Sequence, residues 1–295
     1  MLSILKNKLG QAWSKNTVLK NFIEQLNNLL KFSDIAMYEA KRTKSQDGRK
    51  YQSAISAKIK NCLAYVDDIK QRLEQDDFTL CYQAQYNHYD DIIGVGVLLR
   101  WQHPLYANES PAVYIPIAEE SDLILDISQW VLEQACRDIK KLEQLTLPDS
   151  FNKISINISA KQLIQHDFQE KILNAIKQND IPAQHLGLEL TEKLLVESIE
   201  DSIKLITALK EKSIDCTIDD FGTGYSSLTY LKPIPASVLK IDRSFVSNIA
   251  QDRKNVAIAS IIISLGKTLK SDILTKGVET LEEFNCLKDL GCYHY

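Results

Sequence analysis

Polar side chains suited to binding a hard cation follow four successive apolar segments in the middle of the chain. The set comprises Asn157, Glu189, Glu192, Asp219, Asp220, Lys240 and Asp242. Carboxylate and amide oxygens are the ligands that Mg²⁺ and Mn²⁺ prefer, and because no histidine or cysteine joins the set, zinc is not expected. Two such cations activate a water molecule and neutralise a phosphodiester, while a lysine adds a further positive charge. These residue types therefore favour hydrolysis of a phosphate ester.

Simpler interpretations of the same residues stay open. Acidic residues after strands often cap helices, and Asp219 with Asp220 precede a Gly-Thr-Gly turn at residues 222–224 that does not match a P-loop. Arg100 has the planar fork that binds a phosphate, but the same group also pairs with surface carboxylates. From spacing alone, a metal site and ordinary structural roles are both consistent with the sequence.

The segments that carry these residues alternate between short apolar strands and amphipathic helices, which is typical of a largely parallel α/β sheet. We predict strands at residues 78–83, 92–99, 153–158, 186–190, 214–218, 237–241 and 273–275, and helices at 128–143, 167–177, 199–212, 255–270 and 280–290. Seven strands predict a (β/α)8 barrel that is one strand short, with an open doubly wound sheet as the alternative. In a barrel, functional groups gather at the C-terminal ends of the strands, which is where the polar set falls.

Composition and the first part of the chain limit the class of protein. Residues 1–74 show helical spacing of apolar residues without strand alternation, so we predict a helical lead-in before a barrel domain at residues 75–295. With 35 basic and 39 acidic residues the net charge is −4, so a nucleic acid polymer is not an expected partner. No stretch is apolar enough for a membrane segment and no secretory signal is recognisable, so we expect a cytoplasmic protein.

Five strings in this sequence together resemble the EAL domain, a bacterial phosphodiesterase domain for cyclic di-GMP (c-di-GMP). They are LLRWQHP at residues 98–104, NISA at 157–160, ELTE at 189–192, DDFGTGYSSL at 219–228 and LKIDRSF at 239–245. The resemblance covers residues 70–292 in order. It implies a modified (β/α)8, TIM-like barrel of the EAL type that opens c-di-GMP to linear pGpG with two Mg²⁺ or Mn²⁺ ions.

The resemblance also implies roles for individual positions. Arg100 matches the arginine that contacts a ligand phosphate, and Lys240 matches the catalytic lysine. Glu192 matches the glutamate that anchors the Asp-Phe-Gly loop, which in the family also contributes to dimerisation. The family's metal ligands are matched by Asn157, Glu189, Asp219 and Asp220.

Three departures from the family pattern fall at the site itself or at the end of the barrel. Where the family has Glu-Ala-Leu, this chain has Gly-Val-Leu at residues 96–98, so Gly96 replaces a glutamate ligand. Where the family has Ala-Glu-Gly-Val-Glu-Thr, this chain has TKGVET at 275–280, so Lys276 replaces the glutamate that serves as general base or metal partner. The sequence GCYHY at 291–295 precedes the family's Gln-Gly-Tyr segment, so we expect the last strand of the barrel to be lacking.

Losing one glutamate and exchanging another for lysine changes the local charge by about three units, and each unit pair at ~4 Å in a medium of dielectric ~20 is worth about 4 kcal/mol. We therefore expect Mg²⁺ or Mn²⁺ binding to be impaired. Our hypothesis is that the Lys276 ammonium lies among Asp219, Asp220 and Glu189 as a tethered substitute for a cation. The retained Arg100, Asp219 and Lys240 favour a pocket that still holds the nucleotide. The sequence thus predicts a degenerate EAL domain, inactive or very weakly active, that serves as a c-di-GMP receptor or as a module that binds a protein partner or a second copy of itself. The alternative is a metal-dependent phosphodiesterase in which another carboxylate, such as Glu279, takes over.

A second resemblance lies within the lead-in. The strings SDIAMYEAK at residues 33–41 and DGRKY at 47–51 resemble the final helix and turn of GGDEF (diguanylate cyclase) domains, although the cyclase signature itself is nowhere in the chain. This resemblance implies a remnant of a GGDEF domain at about residues 33–52, as in a tandem GGDEF–EAL protein, and no cyclase activity.

Overall fold

The structure is a computed structural model that describes residues 62, 64–75, 77–101, 110–145, 147–224 and 233–295. Its described residues belong to two compact units, one formed by residues up to 77 together with 110–124, and the other by residues 78–101 together with 125–295. The GGDEF-like strings and most of the predicted lead-in lie outside the described residues. No helix in the described ranges is long and apolar enough to cross a membrane.

The described residues of the first unit include two helical segments. One covers residues 64–74, and an ion pair between Arg72 and Asp77 follows its last turn. The other is the helix Pro111–Glu120, which sequence reasoning missed. Ser110 begins this helix because its hydroxyl accepts a hydrogen bond from the backbone N–H of Ala112 at 3.3 Å, and a proline at the first helical position has no N–H left unpaired.

The second unit contains a single sheet whose strands follow one another in sequence order, from β1 to β7. All seven predicted strands are present: β1 Phe78–Tyr86, β2 Ile92–Trp101, β3 Lys153–Asn157, β4 Leu186–Thr191, β5 Asp215–Phe221, β6 Val238–Ile241 and β7 Asp272–Thr275. Because the strand order never reverses, the doubly wound alternative is wrong and the barrel prediction is confirmed. Strand β1 is antiparallel to β2, since the connection between them is a tight turn too short for a crossover, and the remaining pairs are parallel.

Helices connect the parallel strands. The five predicted helices are present as Ile124–Leu142, Phe168–Asn179, Ile199–Lys210, Arg253–Leu269 and Leu281–Leu290, and a 3₁₀ turn occupies Ala183–His185. Three further short helices follow strand ends directly and were not predicted: Ala160–Leu163, Glu192–Glu197 and Arg243–Val246. A single turn is too short to show helical periodicity in a sequence.

The core explains why the strands appear as apolar runs. Five of the six residues of β4 are buried, and Ile154, Leu188, Ile218 and Leu239 on neighbouring strands are at most 1% exposed. A parallel strand covered on both faces loses the alternation of apolar and polar residues. Polar side chains are consequently concentrated where these strands end.

The two outer strands of the sheet meet at a short segment near residue 294. The backbone of His294 bridges Asn87, next to β1, and Leu274 in β7. Tyr86 and Tyr295 exchange two backbone hydrogen bonds of 2.8 Å each. Among the described residues the sheet has seven strands, and isolated bridges at residue 294 join Asn87, next to β1, to β7.

Candidate functional site

The polar set gathers at the C-terminal ends of the parallel strands. Asn157 and Glu189 are register partners in β3 and β4, and Thr191 is the register partner of Asp219 in β5. The strand register therefore brings residues from distant parts of the sequence to one end of the sheet, as the sequence predicted.

Lys240 and Glu189 form a buried ion pair at this end. The Lys240 ammonium donates a hydrogen bond to Glu189 Oε1, and the two side chains are only 7% and 5% exposed. A buried charge is tolerated only when it is paired, because taking an isolated ion out of water costs several kcal/mol. Each of the two residues thus supplies the countercharge that the other requires.

A second cluster joins Lys276 to two aspartates. Lys276 directly follows β7, and its backbone N–H donates to the carbonyl of Ile241 at the end of β6 at 3.1 Å. Its ammonium nitrogen lies 2.9 Å from Asp219 Oδ1 and 2.5 Å from Asp220 Oδ1. One ammonium group therefore neutralises part of the charge of both carboxylates.

The electrostatics of Lys276 follow from this geometry. Burial alone would lower the pKa of Lys276, but the carboxylates of Asp219 and Asp220 outweigh burial, so the pKa is raised above its ordinary value. The ammonium form is therefore the form present at neutral pH. Lys276 also helps to hold the pKa of Asp242 below its usual range, although burial opposes this shift and hydrogen bonds from Ser244 contribute more to it.

The aspartate pair sits at an unusual point of the backbone. Asp220 has a φ of 52°, in the left-handed region, and its N–H donates to Asp219 Oδ1 at 2.9 Å. Aspartate tolerates this region better than most residues because its short carboxylate bonds to the local backbone. Gly222 follows with a φ of 96°, and a Cβ added there would lie 2.9 Å from the Phe245 ring. The chain therefore turns sharply as it leaves β5.

Glu192 holds this turn in place. It is 1% exposed, and its Oε2 accepts hydrogen bonds from the backbone N–H groups of Gly222 at 2.8 Å and Gly224 at 3.4 Å. The neighbouring Thr223 hydroxyl donates to the carbonyl of Asp220 at 2.8 Å. We call residues 219–224 the acidic loop, because they begin with two aspartates. Lys276 binds one end of this loop, and Glu192 binds the other.

Three of the predicted site residues form no hydrogen bond or ion pair with these charged groups in the described part of the chain. Asn157 is exposed, and its side-chain amide donates to the carbonyl of Val97 at 3.4 Å. Arg100, near the C-terminal end of β2, is also exposed, and its guanidinium donates to the carbonyl of Leu99 at 2.9 Å. Gly96 lies in the middle of β2, with Gln83 and Ser155 as its register partners.

The structure also shows what two further carboxylates bind. Glu279, considered above as a replacement carboxylate, is bound by Arg243 at 2.7 Å on an exposed surface. Asp242 caps the helix Arg243–Val246 by accepting the Ser244 N–H at 2.9 Å, a role indicated by its place one residue after a strand. In the described part of the chain, no three histidine, cysteine or carboxylate side chains converge as a metal-binding group.

The fold and the site together define a TIM-like α/β barrel with paired acid and ammonium groups at the C-terminal ends of its strands. A sequence model described as the EAL domain matches residues 66–295. The chain therefore belongs to the EAL family, the c-di-GMP phosphodiesterase family that the sequence resembled.

Two curated relatives come from Pseudomonas aeruginosa. The bifunctional diguanylate cyclase/cyclic di-GMP phosphodiesterase MucR is 37% identical over 261 residues, which are 88% of this chain and 38% of MucR. The cyclic di-GMP phosphodiesterase NbdA is 30% identical over 275 residues, which are 91% of this chain and 34% of NbdA. The chain thus spans little more than a third of the length of either relative.

Solved structures give the same family. The PaMucR phosphodiesterase in complex with c-di-GMP has a TM-score of 0.73 and 37% identity, covering 78% of this chain and 93% of that chain. The EAL enzyme Bd1971, bound to cAMP and cyclic di-GMP, has a TM-score of 0.74 and 32% identity, covering 83% of this chain and 67% of that chain. The Xanthomonas citri FimX EAL domain in complex with c-di-GMP, at 20% identity and a TM-score of 0.73, shares the fold.

Proposed function

We propose that this EAL domain binds c-di-GMP without hydrolysing it, or hydrolyses it only very weakly, and so acts as a receptor in c-di-GMP signalling. The observation that carries this proposal is the Lys276 ammonium bound by both Asp219 and Asp220. These carboxylates match two metal ligands of the family, and Lys276 stands where the family has a glutamate.

The charge balance supports the loss of metal-dependent hydrolysis. The family's arrangement of five carboxylates and one lysine requires two divalent cations to reach neutrality. Here three carboxylates, Glu189, Asp219 and Asp220, face two ammonium groups, which leaves one negative charge. Two added divalent cations would leave the cluster with three excess positive charges, so the residues present do not fit a metal pair.

Retained phosphate-binding groups support nucleotide binding. Arg100 is exposed near the same end of the sheet, and its guanidinium bonds only to a main-chain carbonyl among the described residues. A guanidinium binds phosphate through paired hydrogen bonds, each stronger than a neutral one. The solved structures of PaMucR and the EAL enzyme Bd1971 have c-di-GMP bound, which favours the same ligand class for this chain.

The test is equilibrium dialysis of the full chain against c-di-GMP with Mn²⁺, with chromatography of both compartments for c-di-GMP and pGpG. We expect retained, uncleaved c-di-GMP. Arg100→Ala should weaken binding about tenfold or more, because a hydrogen bond to a charged group is worth about 1.5–3 kcal/mol. Arg137→Ala, which removes another exposed arginine from the helix Ile124–Leu142, is the matched control and should bind normally.

Two other outcomes would contradict the proposal. Formation of pGpG that Asp219→Asn abolishes would establish the alternative, a metal-dependent phosphodiesterase. If neither c-di-GMP binding nor pGpG formation is detected, the role that remains is that of a protein-interaction module.

Restoring the family residues tests the reason given for inactivity. In the double variant Gly96→Glu with Lys276→Glu, we expect Mn²⁺-dependent formation of pGpG that the wild type lacks. A Cβ at position 96 has room, since its nearest neighbour would be Gln85 Nε2 at 3.7 Å. A restored variant that binds c-di-GMP but remains inactive would show that these two positions are not the cause.

A further inference from the structure

We propose that the ammonium group of Lys276 acts as a built-in cation that holds the acidic loop in one conformation whether or not divalent metal is present. The proposal deepens the proposed function, on which it rests for the identity of the site. It assigns Lys276 as the residue that makes this site independent of metal.

The first argument is the position of the ammonium nitrogen. It lies within 3 Å of one oxygen from each of two successive carboxylates, and its side chain is 32% exposed. Two adjacent carboxylates repel each other unless a cation lies between them. In this chain that cation is covalently attached to the end of β7, so it cannot be diluted or chelated.

The second argument is that the two lysines at the site pair with different carboxylates. Glu189 pairs with Lys240 in a separate buried ion pair, whereas the two ion pairs of Lys276 in the described residues are with the aspartates of the acidic loop. Our hypothesis from the sequence placed Lys276 among all three carboxylates, and the structure removes Glu189 from that group. The direct contacts of Lys276 with carboxylates are therefore with the loop that follows β5.

The third argument is the continuity of bonds along the loop. Lys276 binds Asp220, the carbonyl of Asp220 accepts from Thr223, and Glu192 binds the N–H groups of Gly222 and Gly224. Asp220 and Gly222 both have positive φ values, so this conformation depends on such anchors at both ends. Removing the Lys276 charge releases one anchor and restores the repulsion between the aspartates.

The test uses the full chain without nucleotide, so that its failure is distinguishable from failure of c-di-GMP binding. We compare the wild type, Lys276→Gln, Lys276→Arg and the control Lys193→Gln, whose side chain is 83% exposed on the helix Glu192–Glu197. The measurements are calorimetric titration with Mn²⁺, thermal unfolding with and without Mn²⁺, and hydrogen exchange of the backbone N–H groups at residues 220–224.

We expect no Mn²⁺ binding and no Mn²⁺-dependent change in Tm for the wild type, Lys276→Arg and Lys193→Gln. Lys276→Gln should have a lower Tm and faster exchange in the acidic loop, and it should bind Mn²⁺ at least tenfold more tightly than the wild type. Mn²⁺ should then restore both its Tm and its loop protection. Adding Asp220→Asn to Lys276→Gln should abolish that response.

Two results would overturn the proposal. One is calorimetrically detected Mn²⁺ binding by the wild type that also raises its Tm, which can be measured even if the variant does not fold. The other is unchanged exchange of residues 220–224 in a folded Lys276→Gln protein, because the loop would then not depend on the ammonium group.

Discussion

The ion pair between Lys240 and Glu189 makes a quantitative prediction. In Lys240→Met, the Glu189 carboxylate stays buried at 5% exposure without its partner. Removing one member of a buried pair costs about 3–5 kcal/mol of the free energy of unfolding. For a domain of this size, that loss corresponds to a decrease in Tm of roughly 6–20 °C.

The assay is urea unfolding at pH 7 followed by circular dichroism, with Lys141→Met as the matched control. Lys141 also pairs with a carboxylate, but its side chain is 70% exposed, so its loss should change the free energy by less than about 1 kcal/mol. Replacing both buried members, as in Lys240→Met with Glu189→Leu, should recover most of the loss, because an apolar pair leaves no unpaired charge.

The reasoning is refuted if Lys240→Met is no more destabilising than Lys141→Met at an unchanged urea m value. It is also refuted if the double variant is as unstable as the sum of its single changes, because the two residues would then not interact.

Two further predictions concern backbone conformation and pH. Gly222→Ala should lower the free energy of unfolding by about 1–3 kcal/mol, because residue 222 has a positive φ. Gly96→Ala should leave it unchanged or raise it by up to about 1 kcal/mol, because position 96 has room for a Cβ. Urea unfolding of both variants measures these changes. Burial opposes ionisation of Asp215, but hydrogen bonds from Lys153 and a neighbouring serine outweigh it and lower the pKa of Asp215. A lowered pKa in the folded state gives stability that is present above the ordinary carboxyl pKa near 4 and is lost as the pH falls through the folded value. The Tm of Asp215→Asn should therefore decrease less than that of the wild type as the pH falls below about 4. If Tm decreases equally in both proteins over this range, the lowered pKa of Asp215 does not contribute to stability.

The strands and the polar set could be predicted from the sequence, because each follows from a general property of parallel sheets. Runs such as Leu186–Thr191 are apolar since they are buried on both faces, and parallel strands bring their C-terminal residues to one end of the sheet. The sequence hypothesis placed Lys276 beside Asp219 and Asp220, as the structure does, but it also included Glu189. The pairing of Glu189 with Lys240 instead could not be predicted, because it depends on side-chain paths across the sheet that sequence spacing does not express. Single-turn helices such as Arg243–Val246 were missed because one turn has no periodicity.

The bridges at His294 have a consequence for the order in which the fold assembles. His294 forms one bridge with Asn87 and another with Leu274, so it links two positions that are 187 residues apart in the sequence. The other sheet contacts join neighbouring strands and enclose much shorter loops, and the entropic cost of closing a loop rises with its length. The contacts at residues 294 and 295 therefore join the positions of the sheet that are farthest apart in the sequence, and we expect them to form after β2 to β7 have aligned. For the same reason we expect the sheet to open first between β1 and β7.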